Sequence, residues 1–455
     1  MPGHASTQDT TPDEGPDEMT ALMFTLGVLL FLVGVAVSIG LHELGHLVPG
    51  KLFGVKVTQY FVGFGPTVWS RRRGETEYGI KAIPFGGFVK LIGMLPPGPR
   101  GEQGTRRSRT GIFSQLVDDA RTAEYELVEP GDEDRLFYKL PWWKKLIVMG
   151  SGVMTNLVLA FLLFAVVFMG HGVATPSTTV ATVSQCVIAV TQENANQPVR
   201  DCTAQDPQAP AKKAGIRPGD RIVAFNGRAV KDWKDLQTAI RGNDDGAATI
   251  VVVRDGSRIT LHTNTTVSPR ADPDDPQHIT RAGFLGVAPQ SHIERQGPGF
   301  VVSTMASGTW ETLKALGALP VKLYHVGRAA VGLEERDQNG PMSVVGAGRV
   351  AGELTSQEQV PVAARFFSVL LLLAGLNLFL AMLNLVPLLP LDGGQMAGAI
   401  YEGARRAVAR ALRRPDPGFV DIAKLLPLGY VMAGVILVAS VVLIYADIVA
   451  PVSLT

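Results

Sequence analysis

Charged residues are scarce in this chain of 455 residues. Asp, Glu, Lys and Arg make up 18% of it, against roughly 25% in soluble domains, and this deficit argues against a wholly soluble enzyme. The 42 basic residues barely exceed the 41 acidic ones, so no basic excess points to nucleic acid as a partner. Hydrophobic residues are abundant, at 46%, which argues against disorder over most of the chain.

Cysteine is nearly absent. The two that occur, Cys186 and Cys202, lie close together in one polar region. A disulfide between them persists only if that region faces an oxidising compartment, and two free thiols are the alternative. The arrangement of the chain across a membrane therefore decides the pairing.

Four long runs contain no Asp, Glu, Lys or Arg, and they span residues 21–41, 146–170, 366–391 and 425–446. A helix needs about 20 residues to cross the roughly 30 Å of bilayer hydrocarbon. Each run predicts a transmembrane helix, with a buried helix of a large soluble core as the alternative. A cleavable signal peptide is not expected for the first run, because acidic rather than basic residues precede it. The predicted spans are 21–48, 146–170, 366–394 and 425–446.

Lys and Arg residues beside these runs predict their orientation. They cluster in residues 49–145, for example at Arg71 to Arg73, and again in the loop 395–424. Both segments are predicted to be cytoplasmic, and the two Trp and two Lys of 141–145 are interpreted as an interfacial anchor. The N-terminus 1–20, predicted to be disordered, the segment 171–365 and the tail 447–455 then lie outside the cell. This placement favours a bridge between Cys186 and Cys202.

Residues 175–289 change to short β-type runs separated by turn residues. Asn226-Gly227 and Asp255-Gly256 are hairpin signals, and 232–240 has a helical pattern. Together with Ala-Gly-Ile-Arg-Pro-Gly-Asp-Arg-Ile at 214–222, this order resembles a PDZ domain, a module that captures peptides as an added strand. A generic β-rich domain is the alternative, and 290–365 is predicted to be a linker to the third span.

The sequence His-Glu-Leu-Gly-His at 42–46 is the H-E-x-x-H pattern. Residues i and i+4 share one face of a helix, so His42 and His46 can reach one Zn²⁺ while Glu43 takes a proton from water beside the metal. Three ionisable residues at the end of a transmembrane helix are costly in lipid, which favours a functional site over an interfacial helix end.

A catalytic zinc site needs a third protein ligand. Asp392 is the best candidate, because Pro387 and Pro390 interrupt the helix before it and two glycines follow it. Irregular backbone at membrane depth is tolerated only where it is buried in protein or lines a wet cavity. An aspartate that simply ends a helix at the interface is the alternative.

These motifs, in this order, resemble the bacterial site-2 proteases, the zinc enzymes of regulated intramembrane proteolysis, with one PDZ-like domain as in the actinobacterial branch. The resemblance covers nearly the whole chain, including Asn-x-x-Pro-x-x-x-Leu-Asp-Gly at 384–393. It implies one Zn²⁺ held by His42, His46 and Asp392, and Glu43 as general base. It also implies that Asn384 contacts the substrate backbone.

Residues 64–66 and 78–90 read as strands around glycine turns, and they resemble the membrane-associated β-hairpin of that family. The stretch 85–90 is predicted to be a short strand with an unpaired edge near the zinc. An unwound substrate could pair with its backbone there. The substrate-binding residues predicted on this strand are Gly86, Gly87, Phe88 and Val89.

The predicted fold is a polytopic α-helical membrane protein with four transmembrane helices, a membrane-associated β-hairpin and an extracytoplasmic PDZ-like α+β domain. The predicted function is zinc-dependent hydrolysis of a peptide bond within the transmembrane segment of a single-span protein in the bacterial cell membrane. The resemblance implies an anti-sigma factor as substrate, already cut by an upstream site-1-type protease. A non-catalytic PDZ receptor in the membrane and a metal transporter with the same ligands are the alternatives.

Overall fold

The computed structural model of the chain describes residues 18–97, 112–191, 200–272 and 279–452. Most of the N-terminal segment predicted to be disordered, residues 1–17, lies outside the described residues, as do 98–111 of the cytoplasmic segment and 453–455 of the tail. The chain divides into two compact units. Unit 1 comprises residues 1–170 and 297–455, and unit 2 comprises 171–296.

The helices and strands are named here in chain order. They are α1 (Glu18–Leu52), β1 (Val57–Arg73), β2 (Thr76–Leu91), α2 (Ile112–Tyr125), α3 (Trp142–Ala165), β3 (Val173–Val183), α4 (Pro210–Ala214), β4 (Arg221–Phe225), β5 (Arg228–Ala229), α5 (Trp233–Arg241), β6 (Ala247–Arg254), β7 (Ser257–Asn264), β8 (Thr266–Ala271), β9 (Ile279–Phe284), β10 (Val287–Glu294), α6 (Pro298–Ala330), α7 (Val344–Ser356), α8 (Val362–Asn384), α9 (Asp392–Ala411) and α10 (Leu426–Val449).

Within the described residues, four helical stretches are long and apolar enough to cross a membrane, which confirms the number predicted. They span Glu18–Leu52, Trp142–His171, Val362–Asn384 and Ile422–Val449. The third is shorter than predicted and ends at Asn384. Proline has no N–H to continue the helical hydrogen bonds and disfavours helical geometry in the residue before it, so Pro387 and Pro390 leave residues 385–391 outside any helix.

Close packing of α1 against α3 depends on glycine. A Cβ added at Gly45 would lie 2.7 Å from Thr155 Oγ1 and 2.8 Å from the Ser151 carbonyl oxygen. Small residues let transmembrane helices approach this closely, since van der Waals contact between backbones is what holds such helices together in lipid. The last turns of α1 are therefore held directly on the α3 backbone.

Two stretches predicted to be irregular are helical. The linker 290–365 contains α6 and α7, and most of the loop 395–424 belongs to α9. The side chain of Ser343 caps α7 by accepting hydrogen bonds from the N–H groups of Val345 and Gly346. The sequence suggested a linker and a loop because polar residues interrupt the apolar pattern from which these helices could have been predicted.

The interpretation of residues 141–145 as an interfacial anchor is wrong for Lys145. This side chain is buried, and its Nζ lies 2.7 Å from Oε2 of Glu402 on α9. The ring of Trp142 packs on the backbone of Gly403, where an added Cβ would lie 2.6 Å from the ring. Trp142 and Lys145 at the start of α3 thus contact α9, while the rings of Trp142 and Trp143 stay partly exposed.

The antiparallel strands β1 and β2 are bent, and each acts as two segments. Residues 59–62 of β1 pair with 87–90 of β2 and also with 77–80. The first half of β1 therefore lies inside the sheet, and 87–91 lies at its edge. Among the described residues no further strand pairs with that edge.

Unit 2 is built around a sheet in the order β10-β3-β4-β6-β7, with β5 paired to β4 and a separate hairpin of β8 and β9. Its core includes Ile222, Leu236 and Ile250. The predicted turns occur, with positive φ at Asn226-Gly227 and at Asp255-Gly256, and the predicted helix is α5.

The sulfur atoms of Cys186 and Cys202 lie 2.02 Å apart. Unit 2 extends a few residues beyond the predicted limits 175–289 at each end.

A buried ion pair stabilises unit 2. Asp220 is 1% exposed, and its carboxylate accepts hydrogen bonds from Arg254 at 2.7 Å and from the Arg217 N–H at 2.8 Å. Burial alone would raise the pKa of Asp220, but the hydrogen bonds outweigh it and hold the pKa below its usual value. The pair therefore contributes stability above the unfolded pKa of about 4, and loses it as the pH falls through the lower folded value.

We predict that Asp220→Asn lowers the free energy of unfolding of a 171–296 fragment by about 2 kcal/mol at pH 7, because Arg254 is left without its partner. The difference from wild type should shrink below pH about 4, where the carboxylate begins to take up protons in the unfolded chain but not yet in the native one. Urea unfolding measures both values. Asp255→Asn, in an exposed turn, is the control and should change little; equal stability of wild type and Asp220→Asn at pH 7 would contradict the assignment.

Candidate metal centre

The first two candidate ligands lie on consecutive turns of α1. His42 and His46 are buried, and their Nε2 atoms are 3.2 Å apart. The spacing of four residues places both rings on the face of α1 that meets α3. The helix alone therefore accounts for this half of the site.

Asp392 is brought to the histidines by a change of chain direction after α8. It is the first residue of α9, and its Oδ2 lies 3.2 Å from His42 Nε2 and 3.3 Å from His46 Nε2. A Cβ on Gly393 would collide with the backbone of Leu385 and Val386. Glycine at this position thus lets the irregular segment fold back over the start of α9.

The ring of His46 is oriented by α3. Its Nδ1 lies 2.8 Å from the carbonyl oxygen of Val148. A carbonyl can only accept a hydrogen bond, so Nδ1 carries the proton, and in the neutral ring Nε2 has a free lone pair. A hydrogen bond of this kind is how proteins usually fix a histidine for metal binding.

The donor set fits zinc. The nitrogen, nitrogen and oxygen atoms are separated by 3.2, 3.2 and 3.3 Å, close to the roughly 3.3–3.4 Å between ligands bonded at about 2.0–2.1 Å in a tetrahedral zinc site. Asp392 Oδ2 is buried and has no hydrogen-bond donor among the described residues. Three lone pairs that converge in this way require a cation, and three protein ligands leave the fourth position that catalysis needs.

Glu43 lies between this site and the edge of the sheet. It is half-buried, and a Cβ on Gly87 would lie 3.0 Å from its Cγ. The Val89 backbone N–H lies near the Glu43 carboxylate. The strand segment 87–91 therefore lies beside the residue predicted to be the base.

The other predicted substrate-binding residues are more dispersed. Phe88 stacks on Phe61, with ring centroids 5.6 Å apart, and Gly86 lies under the ring of Phe64. Asn384 is half-buried as the last residue of α8, before the irregular segment that leads to Asp392. Their roles in substrate binding stay predictions.

Gly152 is a site residue whose role the sequence did not reveal. A Cβ there would overlap Nε2 and Cε1 of His46 and approach Cε1 of His42 to 3.0 Å. The surrounding sequence, Ser-Gly-Val-Met-Thr-Asn at 151–156, contains no His, Cys, Asp or Glu that would single out the glycine. Its contribution is the space that it leaves for both imidazole rings.

Comparisons with known proteins agree with this geometry. The sequence model described as peptidase family M50 matches residues 30–413, a range that contains all three candidate ligands. The chain is 35% identical over 449 residues to zinc metalloprotease Rip1 of Mycobacterium tuberculosis, covering 95% of this chain and 100% of the relative. Zinc metalloprotease Rip1 of Mycolicibacterium smegmatis is 34% identical over 447 residues, with the same coverage. Metalloprotease MmpA of Caulobacter vibrioides is 27% identical over 407 residues, covering 86% of this chain and 90% of the relative.

We predict that Gly152→Ala lowers zinc content several-fold in purified protein, because the new methyl group would displace the ring of His46. Gly150→Ala is the matched control: it makes the same substitution in the same helix, but its Cβ would meet only Met396 Cε, at 3.6 Å. Metal analysis of both variants is the measurement. Full zinc content in Gly152→Ala would show that the close approach at this position is not required.

Proposed function

The chain belongs to peptidase family M50, and we propose that it hydrolyses a peptide bond within the transmembrane segment of another membrane protein. Membership makes it a zinc metalloendopeptidase of the site-2 protease type, located in a membrane. The observation that carries the proposal is the position of the ligands: His42 and His46 lie on an apolar helix long enough to span a bilayer. Asp392 follows another such helix by a short irregular segment.

Each residue of the site has a distinct role in this proposal. Zinc held by His42, His46 and Asp392 would polarise the substrate carbonyl and lower the pKa of water. Glu43 accepts the proton from the attacking water and delivers it to the leaving amine. Val148 holds His46 in the tautomer with a free Nε2. Gly152, which has no side chain, leaves room for both imidazole rings.

The edge of β2 supplies a means of holding the substrate. A helix must unwind before its carbonyls can be attacked, and each unpaired amide in lipid costs several kcal/mol. The segment 87–91 has β1 on one side and lies beside Glu43. An extended substrate paired along its other side would regain backbone hydrogen bonds close to the metal. Asn384 would contact the same backbone.

The orientation and partners complete the proposal. The basic residues of 49–145 and 395–424 favour a cytoplasmic position for these segments and an extracytoplasmic one for unit 2. There unit 2 acts as a PDZ-like domain that admits substrates already trimmed by a site-1-type protease, and its bond between Cys186 and Cys202 persists in an oxidising compartment. A single-span anti-sigma factor is the proposed class of substrate.

We predict that Glu43→Ala retains zinc but lowers the rate of cleavage of a single-span substrate by about 10²–10⁴-fold, because the base is lost and the ligands remain. His42→Ala combined with Asp392→Ala should lose both zinc and cleavage. Metal analysis and a reconstituted cleavage assay are the measurements. A receptor or transporter with the same ligands would not need the Glu43 carboxylate, so undiminished cleavage by Glu43→Ala would refute the proposed mechanism.

We predict that Val89→Pro weakens substrate binding roughly fivefold in a Glu43→Ala background, because proline removes one N–H at the sheet edge and a hydrogen bond contributes about 1 kcal/mol. The background removes the Glu43 carboxylate that lies near this N–H, so the change reports on the substrate alone. Val89→Ala keeps the N–H and is the matched control. Equal affinities of the proline and alanine variants, both with zinc bound, would mean that substrates do not pair with this strand.

A further inference from the structure

The position of Asp392 depends on where α9 lies. The segment 385–391, which joins α8 to Asp392, is not helical. Its backbone hydrogen bonds are short-range, such as Leu391 N–H to Leu388 O at 2.9 Å. Such a segment does not by itself define the place of a side chain to the few tenths of an ångström that a metal ligand needs. Asp392 is the first residue of α9, so the contacts of α9 must supply that precision.

Those contacts run antiparallel along α3. Near the metal, Met396 lies beside Gly150, and farther from it Gly403 lies against Trp142. Between them, Lys145 Nζ binds Glu402 Oε2 at 2.7 Å. Ten residues of helix, or about 15 Å, separate Asp392 from Glu402. The ion pair is therefore distant from the metal but lies on the same rigid element as the third ligand.

The pair between Lys145 and Glu402 is deeply buried. The two side chains are 6% and 2% exposed. Glu402 Oε1 also lies 3.3 Å from Arg406, and Lys145 Nζ lies 5.0 Å from the centre of the Phe419 ring. Apolar and small residues would let one helix slide on another at little cost. A shift of α9 along α3 would leave Lys145 buried without its carboxylate, while Glu402 would keep Arg406 of its own helix, so the unpaired charge of Lys145 opposes any other register.

α3 also orients the other half of the site. Val148, whose carbonyl accepts the hydrogen bond from His46, follows Lys145 by one turn of the same helix. One short stretch of α3 thus holds His46 through Val148 and α9 through Lys145. Fixing the register of α9 on this stretch fixes the place of Asp392 relative to the histidines.

We infer that Lys145 and Glu402 are positioning residues for the metal centre: their buried ion pair sets the register of α9 on α3 and so places Asp392 opposite His42 and His46. The inference rests on the ligand set of the proposed function. It assigns a role in metal binding to two residues that do not touch the metal. Loss of residues that orient zinc ligands typically weakens metal binding by about 10–100-fold.

The test measures metal binding in the full-length protein in detergent. Glu402→Gln removes the charge with little change of shape, and Lys145→Met with Glu402→Met replaces the pair by apolar side chains of similar volume, which restores stability in other buried ion pairs. Zinc dissociation constants come from competition with a chelator, and the visible absorption of bound Co²⁺ reports ligand geometry. Thermal unfolding measures stability in parallel.

We expect both variants to bind zinc at least tenfold more weakly than wild type and to show an altered Co²⁺ spectrum, even where the double variant is as stable as wild type. If the ion pair only stabilised the fold, the apolar pair would restore both stability and zinc binding. A wild-type dissociation constant and spectrum in the folded double variant would therefore overturn the inference. If Glu402→Gln does not fold, the double variant alone decides.

The matched control breaks another buried pair. Lys56 Nζ lies 2.5 Å from Asp132 Oδ2, and both side chains are buried, but neither residue belongs to α3 or α9. Asp132→Asn should lower stability and leave zinc binding unchanged; weakened zinc there would count against a specific role for Lys145 and Glu402.

A second comparison separates this inference from the ligand assignment. Zinc retained in His42→Ala with Asp392→Ala would overturn the ligand set itself and this inference with it. Zinc lost there but bound normally by the Glu402 variants would overturn the positioning role alone.

Discussion

Two imidazole nitrogens and one carboxylate oxygen converge within 3.3 Å of one another inside an apolar helical unit, and most of unit 1 serves to keep them there. Lone pairs repel unless a cation lies between them, and buried polar atoms without partners are costly. The rest of the fold must therefore hold three residues from two distant parts of the sequence together before the metal can stabilise them. Helix α3, which contributes no ligand, is the element that both parts contact.

The contacts with α3 are of two physical kinds. Close approach is steric: Gly45 lets α1 lie on the α3 backbone, and Gly152 leaves room for the rings of His42 and His46. Direction and register are polar: the Val148 carbonyl orients His46, and Lys145 binds Glu402. Van der Waals packing in a membrane protein gives proximity, whereas hydrogen bonds and buried charges define a single arrangement.

The strand edge beside Glu43 also depends on close approach of the backbone. Segment 87–91 contacts α1 through Gly87 on one side and pairs with β1 on another. Because glycine has no side chain, the backbone itself comes within contact distance of the Glu43 side chain. A substrate in extended form could thus be held by the backbone alone, as the proposed function requires.

Local sequence patterns determined much of this protein. The spacing of His42 and His46, the four charge-free runs and the hairpin turns of unit 2 each depend on residues close together in the chain, so periodicity and turn chemistry were sufficient to predict them. Asp392 was predicted as a ligand because prolines and glycines beside it mark irregular backbone at membrane depth. The helical character of α6, α7 and α9 was missed because mixed polar residues hide an apolar face.

Tertiary structure alone decided which surfaces meet. Nothing in the residues around 141–145 indicates that Lys145 faces Glu402, more than 250 positions away, so an interfacial anchor was the simpler interpretation. The role of Gly152 could not be predicted either, since glycine has no side chain whose chemistry would indicate its neighbours. Sequence periodicity states which face of a helix is apolar, but the identity of its neighbour follows only from how all the helices pack together.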